Sequence, residues 1–237
     1  MSLAGKRVVV TRAAEEAGEL DGLLRERGAV PVRFPCIAFE DGPDVESIAQ
    51  IVLRGGADLI VVSSPHAARR LLGLIGRTSI PFAAVGAATA ALLPGEVIVP
   101  RSGAGAEALL AELAPRVRGR RVLVPRAERG TPALINGLAH AGAIVEALTL
   151  YRTVTPASGD TSLLEGAHAV AFASGSAVRG FVQLAGAAAA NRLAVAAMGG
   201  SAAGEANAAG IRIDAMGPEG LIGLCDALAL AVAARRG

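Results

Sequence analysis

The chain contains the same strand-and-helix pattern twice, and this repetition limits the folds available to it. Residues 7–12 (RVVVTR) lead into a helical stretch that ends near Gly28, and residues 121–126 (RVLVPR) lead into another that ends near Gly142. Residues 57–64 and 167–174 form a second matching pair. The duplication predicts two similar lobes. Clefts between lobes commonly bind small molecules, so we expect a ligand there.

Short apolar runs alternate with longer helical stretches along the whole chain, which is typical of an α/β fold with parallel sheets flanked by helices. The apolar runs are continuous, as expected for strands that helices cover on both faces. Gly28, Gly142 and Gly210 each stand between a helical stretch and a strand, where glycine favours helix termination. We predict strands near residues 7–11, 32–39, 58–63, 82–85, 97–100, 121–124, 144–152, 168–173, 194–198 and 211–215.

Two of these segments are longer than a single buried strand requires, and they occupy equivalent places in the two halves. They are residues 32–40 and 144–155. We interpret them as crossings between lobes, near 35–40 and 150–155, that pair as a two-stranded linker and act as a hinge. One lobe then comprises residues 1–35 plus 155–237, and the other residues 38–150. Two lobes in sequential order are the alternative, which the sequence leaves open.

Composition excludes several classes of protein. Hydrophobic residues make up 52% of the chain, yet no apolar run approaches the ~18 residues of a membrane span, and no secretory signal is apparent. Cys36 and Cys225 lie in apolar surroundings, which predicts buried thiols in a reducing cytoplasm. The basic residues are arginines apart from Lys6, but they form no basic stripe, and aromatic residues are only 3%, so nucleic-acid binding is not expected.

Serine residues follow two of the predicted strands. Ser64, followed by Pro65, and Ser174 each stand where a strand ends and a helix begins. Serine at the N-cap and proline at the first helical position are favoured for structural reasons alone. The functional alternative is that the hydroxyls and helix N–H groups bind an anion, since open α/β sheets bind ligands at strand carboxyl ends.

Glycines follow two other strands in the same way. Gly86, with Thr89 behind it, and Gly199, with Ser201 behind it, each open a predicted helix. The pattern indicates either tight packing of strand and helix or a second cradle of backbone N–H groups.

Two glycine-rich runs resemble nucleotide-binding motifs, but the residues around them do not fit that function. The run from Gly103 to Ala108 imitates a dinucleotide fingerprint but lacks its acidic partner, and the run from Gly199 to Gly204 lacks the lysine of a phosphate loop. The three histidines have no cysteine or carboxylate at metal-ligand spacing. No catalytic serine triad is apparent. An enzyme with this sequence would work mainly by holding a reactive substrate in place.

Tyr151 is the only tyrosine, and it lies on the second predicted crossing. An aromatic residue filling a domain junction is one explanation. The other is a phenol that donates a proton or hydrogen bond to a ligand.

Taken in order, these segments resemble the uroporphyrinogen-III synthase family: 7–12, 29–39, 62–67, 84–90, 122–126 and 150–152. The resemblance implies two α/β lobes, a two-stranded linker, and cyclisation of the linear tetrapyrrole hydroxymethylbilane to uroporphyrinogen III with loss of water. It implies no metal or organic cofactor. We expect a cytoplasmic monomer, and the sequence leaves open a transient contact with the preceding pathway enzyme.

The resemblance also implies roles for individual residues. Tyr151 matches the tyrosine proposed to assist departure of the hydroxyl group, and Ser64, Ser174 and Ser201 match hydroxyl positions of the ligand cleft. The symmetry of the repeat adds Arg12 and Arg126 as expected substrate-binding residues, and the glycine motifs add Gly86, Thr89 and Gly199. Where the family commonly has Gly-Pro-Thr-Thr, residues 199–202 read Gly-Gly-Ser-Ala, and Ala173 stands where a threonine often precedes the serine.

Two other functions fit the same pattern. One is a non-catalytic two-lobe module that binds a small anion as a sensor, which would keep its ligand affinity without Tyr151. The other is a glycosyl- or phosphoryl-transfer enzyme with two α/β lobes. The absence of a nucleotide-binding motif from the sequence argues against it.

Overall fold

The computed structural model describes residues 2–130 and 132–235 and has the expected α/β class. Strands and helices alternate along the chain, with two short 3-10 turns at Ala14–Glu16 and Thr161–Leu164. In the described residues the strands are β1 (Arg7–Val10), β2 (Val30–Arg33), β3 (Ala38–Asp41), β4 (Leu59–Val62), β5 (Phe82–Ala84), β6 (Val97–Ile98), β7 (Arg121–Ala127), β8 (Ile144–Val154), β9 (Ala169–Phe172), β10 (Ala194–Met198) and β11 (Ala215–Gly217). The helices are α1 (Ala17–Glu26), α2 (Val45–Leu53), α3 (Pro65–Ile75), α4 (Ala87–Ala90), α5 (Ala106–Leu113), α6 (Ala133–His140), α7 (Gly175–Ala185), α8 (Ala187–Asn191), α9 (Gly199–Ala208) and α10 (Leu221–Ala234).

The chain divides into two compact units. Unit 1 comprises Met1–Phe39 and Val154–Gly237, and unit 2 comprises Glu40–Thr153. The first and last parts of the sequence thus belong to one unit, and the middle part forms the other.

Unit 1 is built on a five-stranded sheet with the order β11-β10-β9-β1-β2, in which all neighbouring strands run parallel. Successive side chains of β1 enter different cores, because side chains alternate across a strand. Val8 and Val10 pack with α1 and α10, whereas Val9 packs with α7 and α9. Helices therefore cover both faces, which explains why the strand sequences are apolar without alternation.

Unit 2 contains the six-stranded sheet β3-β8-β7-β4-β5-β6, in which the β8-β7, β7-β4, β4-β5 and β5-β6 pairs are parallel. One face of this sheet packs on α5 and α6 through a core that includes Leu59, Val122, Leu109 and Leu138. The long strand β8 is exposed or half-buried along most of its length, and its buried residues are Leu150 and Tyr151.

Two strand predictions need correction. Residues 32–39 are not one strand: β2 ends at Arg33, and β3 begins at Ala38. The N–H groups of Phe34 and Cys36 still bond to the carbonyls of Val10 and Thr11, at 3.0 and 3.1 Å, while their side chains enter the core beside α7. The predicted strand 211–215 begins only at Ala215.

The late start of β11 also has a local cause. The backbone N–H of Ile211 still bonds to the carbonyl of Ala206 at the end of α9, and the Ile211 side chain is buried. Asp214 then binds Val195 of β10 twice: its carboxylate accepts from the Val195 N–H at 2.8 Å, and its own N–H donates to the Val195 carbonyl at 3.0 Å.

Candidate functional site

Each sheet has one place where the direction of strand addition reverses. In unit 2 the chain adds β5 and β6 on one side of β4, and β7 and β8 on the other, so the reversal lies between β4 and β7. In unit 1 it lies between β1 and β9, because β2 is on one side and β10 and β11 are on the other. Helices leave opposite faces of the sheet at such a point, and the resulting crevice at the strand carboxyl ends is the usual ligand site of open α/β sheets.

The crevice of unit 2 contains a cavity of about 280 Å³. Arg126, at the end of β7, contributes its charge, and Ser63, directly after β4, contributes an exposed hydroxyl. Backbone and apolar side chains form most of the remaining wall. The lining residues are Ser63, Val85, Gly105, Ala106, Val124, Arg126, Ala127, Gly130, Leu134 and Ile135. A cavity with one cation and few other polar groups is suited to a largely apolar ligand that carries carboxylates.

Ser64 caps the helix that begins at this strand end. Its Oγ accepts a hydrogen bond from the N–H of Ala67 at 3.1 Å, and Pro65 occupies the first helical position. The structural prediction of an N-cap is therefore confirmed. The cap uses only an acceptor site of the hydroxyl, so the Oγ–H proton is still available as a donor to a ligand.

Ser174 makes the equivalent arrangement at the crevice of unit 1. Its Oγ accepts a hydrogen bond from the N–H of Ala177 at 3.2 Å and caps α7. On the neighbouring strand, Thr11 is fully buried, and its hydroxyl donates to the carbonyl of Ala171 at 2.7 Å. This bond ties the ends of β1 and β9 together beneath the crevice.

The two arginines predicted from the repeat lie at corresponding strand ends but have different partners. Arg12 follows β1 and binds Glu16 through both its carbonyl and its carboxylate, at 3.1 and 3.0 Å. Arg126 binds only the carbonyl of Glu128, at 2.9 Å, in the contacts that the structure gives for it. A ligand at Arg12 therefore competes with a carboxylate already present.

The other predicted hydroxyl positions differ in exposure. Ser201 is exposed in the first turn of α9, which Gly199 opens with a φ of +66°. Gly86 precedes α4, which has only four residues, and Thr89 within it is 2% exposed. The Thr89 hydroxyl is thus enclosed in unit 2, and a role for it in ligand binding stays a prediction.

Tyr151 lies on β8 and is 8% exposed. A bulge shifts the register there: Thr149 is opposite Arg126, but Tyr151 is opposite Ala127, so Leu150 is the extra residue. Bulges between parallel strands are rare, and they re-aim side chains next to functional sites. Here the bulge allows two successive residues, Leu150 and Tyr151, to be buried.

The Tyr151 ring contacts an imidazole. The ring centroids of Tyr151 and His66 are 4.5 Å apart, with an edge-on angle of 65° between the ring planes. His66 is the second residue of α3, directly after the Ser64 cap and Pro65. The Tyr151 carbonyl accepts a hydrogen bond from the N–H of Glu128 at 2.9 Å, which connects this strand to the segment after β7.

The sequence did not identify all of these groups. No role was predicted for His66, although its position two residues after a strand-end serine places it near the carboxyl end of β4. Gly105 and Ala106 belong to the segment rejected as a dinucleotide fingerprint, yet they line the cavity of unit 2. Gly105 has a φ of +98° and opens α5, and this local role of a glycine was the available signal.

Metal-binding clusters, membrane-spanning helices and disulfides are not found in the described residues. Within residues 2–130 and 132–235, no three histidine, cysteine or acidic side chains are grouped as a metal site requires. In the same part of the chain, every helix is too short or too polar to cross a membrane. Cys36 and Cys225 are free, buried thiols.

Comparison with known proteins gives one family. The family model described as uroporphyrinogen-III synthase HemD matches residues 18–220. The chloroplastic uroporphyrinogen-III synthase of Oryza sativa subsp. japonica is 30% identical over 195 residues, which cover 75% of this chain and 64% of the rice protein. The chain thus matches slightly less than two thirds of that relative's length.

Two solved structures have the same fold. Uroporphyrinogen-III synthetase from Helicobacter pylori 26695 has a TM-score of 0.63 at 16% identity, with 96% of this chain and 99% of that chain covered. A mutant uroporphyrinogen III synthase from the extremely thermophilic bacterium Thermus thermophilus has a TM-score of 0.53 at 20% identity, with 98% and 99% covered. At these identities, the likeness establishes the fold alone.

Proposed function

The chain belongs to the uroporphyrinogen-III synthase family, and from this premise we propose that it cyclises hydroxymethylbilane to uroporphyrinogen III, inverting the last pyrrole ring and releasing water. The observation that carries the proposal is the repeated arrangement at the two crevices. Each has an arginine at the end of one strand and a serine-capped helix after its neighbour: Arg126 with Ser64, and Arg12 with Ser174.

This arrangement suits a substrate rich in carboxylates. An arginine guanidinium binds a carboxylate with two parallel hydrogen bonds, and the N-terminus of a helix attracts negative charge. We propose Ser64 and Arg126 as substrate contacts in unit 2, and Ser174, Gly199, Ser201 and Arg12 in unit 1. Gly86 and Thr89 have less support because the helix there is one turn long and the threonine is enclosed.

The chemical step requires departure of the terminal hydroxyl group. In our proposal, the Tyr151 phenol donates its proton as the C–O bond breaks, so that the hydroxyl leaves as water and the substrate becomes a protonated, cationic azafulvene that keeps its pyrrole N–H. The substituted carbon of the last pyrrole attacks this electrophile and forms a spiro intermediate. That intermediate fragments and recloses with the ring inverted, and the proton lost on restoring the pyrrole balances the one that Tyr151 gave.

The enzyme's main contribution on this proposal is geometric. The activated substrate also closes without help to the symmetric isomer, so the protein has to hold the last ring where its substituted carbon reacts. Fixed orientation of two reacting groups is one of the largest single effects in catalysis. A cavity with several apolar walls and one cation is a suitable environment for a pyrrole that carries acidic side chains.

We also propose a cytoplasmic, monomeric protein that contacts the preceding pathway enzyme transiently. The two free cysteines agree with a reducing compartment. The rice relative, by contrast, is named as chloroplastic. Light scattering of the purified protein, alone and with the preceding enzyme, tests the assembly part of the proposal.

The test of function is the isomer that forms. Hydroxymethylbilane is generated in situ with the purified chain present, the products are oxidised, and the porphyrin isomers are separated by chromatography. We expect mainly isomer III. Isomer I alone, in the amount that forms without the protein, would overturn the proposal and favour the anion-binding module.

A further inference from the structure

We infer that His66 is a positioning residue for Tyr151 and holds the phenol in the orientation that the proposed reaction needs. The inference rests on the proposed function, but the contact behind it is independent of that function. The two rings meet edge-on, with centroids 4.5 Å apart. Edge-to-face pairs of this type add attraction beyond the area that they bury.

The place of His66 in α3 makes this contact rigid. Ser64 fixes the start of the helix, because its side chain accepts a hydrogen bond from the N–H of Ala67. His66 lies between these two residues in the sequence. The Nε2 atom of His66 is shielded from solvent. The cap fixes the backbone at His66, and the imidazole that packs on the Tyr151 ring then limits the movement of that ring.

One turn further along, α3 is anchored to the same part of the sheet. Arg70 follows His66 by four residues and therefore lies on the same side of the helix. Its guanidinium binds the carboxylate of Asp41 on β3 at 2.8 Å, and β3 is the neighbour of β8. The helix is thus attached to adjacent strands at two points, with His66 at Tyr151 and Arg70 at Asp41.

Three arginines on the elements around Tyr151 have other partners. Arg70 is paired with Asp41, Arg152 of β8 is paired with Glu40 of β3 at 3.1 Å, and Arg126 of β7 binds a backbone carbonyl. Among the ring contacts that the structure gives, His66 is the side chain that touches the Tyr151 ring. Loss of His66 should therefore act on catalysis through Tyr151.

A double-mutant cycle in the full-length protein tests this. We expect His66→Ala to lower kcat threefold to tenfold, about the effect of one aromatic contact, with little change in KM. His66→Phe, which keeps a ring, should retain most of the rate. In a Tyr151→Phe background, His66→Ala should cause no further loss, because the group that it positions has gone.

A spectroscopic measurement separates the inference from the proposed function. Tyr151 is the only tyrosine and there is no tryptophan, so the tyrosine band of the near-ultraviolet circular dichroism reports this ring alone. We expect His66→Ala to weaken the band and His66→Phe to preserve it. His140→Ala is the matched control, since that exposed imidazole binds its own helix carbonyl at Asn136.

The outcomes are distinct. An unchanged tyrosine band in His66→Ala, or an equal loss of rate with and without the Tyr151 hydroxyl, overturns the inference and leaves the synthase proposal standing. If the wild-type protein forms no isomer III, the proposed function is overturned. The tyrosine band of the variants still tests whether His66 orients the Tyr151 ring. If His66→Ala does not fold, the same comparison of rate and band in His66→Gln decides the outcome.

Discussion

Tyr151, the proton donor of our proposal, is almost wholly buried and lies at a bulge in a parallel strand pair. We expect Tyr151→Phe to keep substrate affinity and lose kcat by about a hundredfold, the lower end of what a positioned acid contributes. Turnover and isomer ratio, measured with hydroxymethylbilane generated in situ, check this. An unchanged kcat would show that the phenol takes no part in the reaction, and that orientation of the substrate accounts for catalysis by this protein.

Ser64 has a structural role, and a pair of substitutions separates it from substrate binding. Ser64→Ala removes the cap and should lower the free energy of unfolding by about 1 kcal/mol. Ser64→Asp keeps a cap acceptor but adds a negative charge, so we expect near wild-type stability and a higher KM for a carboxylate-rich substrate. Urea unfolding and steady-state kinetics of both variants give the comparison. A wild-type KM for Ser64→Asp would show that the residue is a helix cap and nothing more.

At the scale of elements, the contact between α7 and the segment 34–36 is unusually close. A Cβ atom at Gly180 would overlap the backbone carbonyl of Cys36. Alanine normally stabilises a helix relative to glycine, but here the helix has to move away, and we expect Gly180→Ala to destabilise the protein by roughly 1–3 kcal/mol. Gly204→Ala on α9 is the control, because open space surrounds that position, and it should be neutral or slightly stabilising.

The strands that flank the crevice of unit 2 are also joined at their other end. The carboxylate of Asp58, just before β4, accepts a hydrogen bond from the N–H of Arg121 at 2.8 Å, and this bond holds the pKa of Asp58 below its usual value of 3.8. Because the folded pKa is the lower one, the contribution to stability is present at neutral pH and is lost as the pH falls through the folded pKa.

Asp58→Asn tests this contribution, since it keeps an acceptor without the titratable charge. We expect a smaller fall in the urea midpoint between neutral and acidic pH than in the wild type. An identical pH dependence in the two proteins would contradict the assignment.

Elements could be predicted from the sequence more reliably than contacts. Continuous apolar runs such as 7–12 and 58–63 indicated buried parallel strands correctly, because a strand that is buried on both faces has apolar residues at successive positions. The same signal was misleading at 32–39, where the chain leaves strand geometry after Arg33 although Phe34 and Cys36 are buried against a helix. The caps at Ser64 and Ser174 were predictable from local preference. The ring contact between His66 and Tyr151 was not, because it joins residues far apart in sequence through the order of strands in the sheet.

For the whole molecule, the chain carries a separate native probe in each unit. Cys36 and Cys225 both belong to unit 1, and burial raises the pKa of each thiol. In the folded protein the thiols are therefore inaccessible and protonated, so we expect them not to react with a thiol reagent. Tyr151 belongs to unit 2. A urea titration followed by thiol labelling and by the tyrosine signal therefore observes the two units separately.

Since each unit has its own sheet and core, we expect the two signals to change at different urea concentrations. Gly180→Ala should shift the thiol transition and leave the tyrosine transition in place. Coincident transitions that both shift in the variant would mean that the units unfold as one.

The division of the chain also sets an order for its synthesis on the ribosome. All of unit 2 is made before the second part of unit 1. Strand β1, with its three consecutive valines, lies inside the sheet between β9 and β2, so its partner β9 emerges only after unit 2. At translation rates of about 5–20 residues per second, β1 and its early partner β2 wait roughly 8–30 seconds with one edge of β1 unpaired. In the cell, β1 is thus made well before the sheet on both of its sides can be completed.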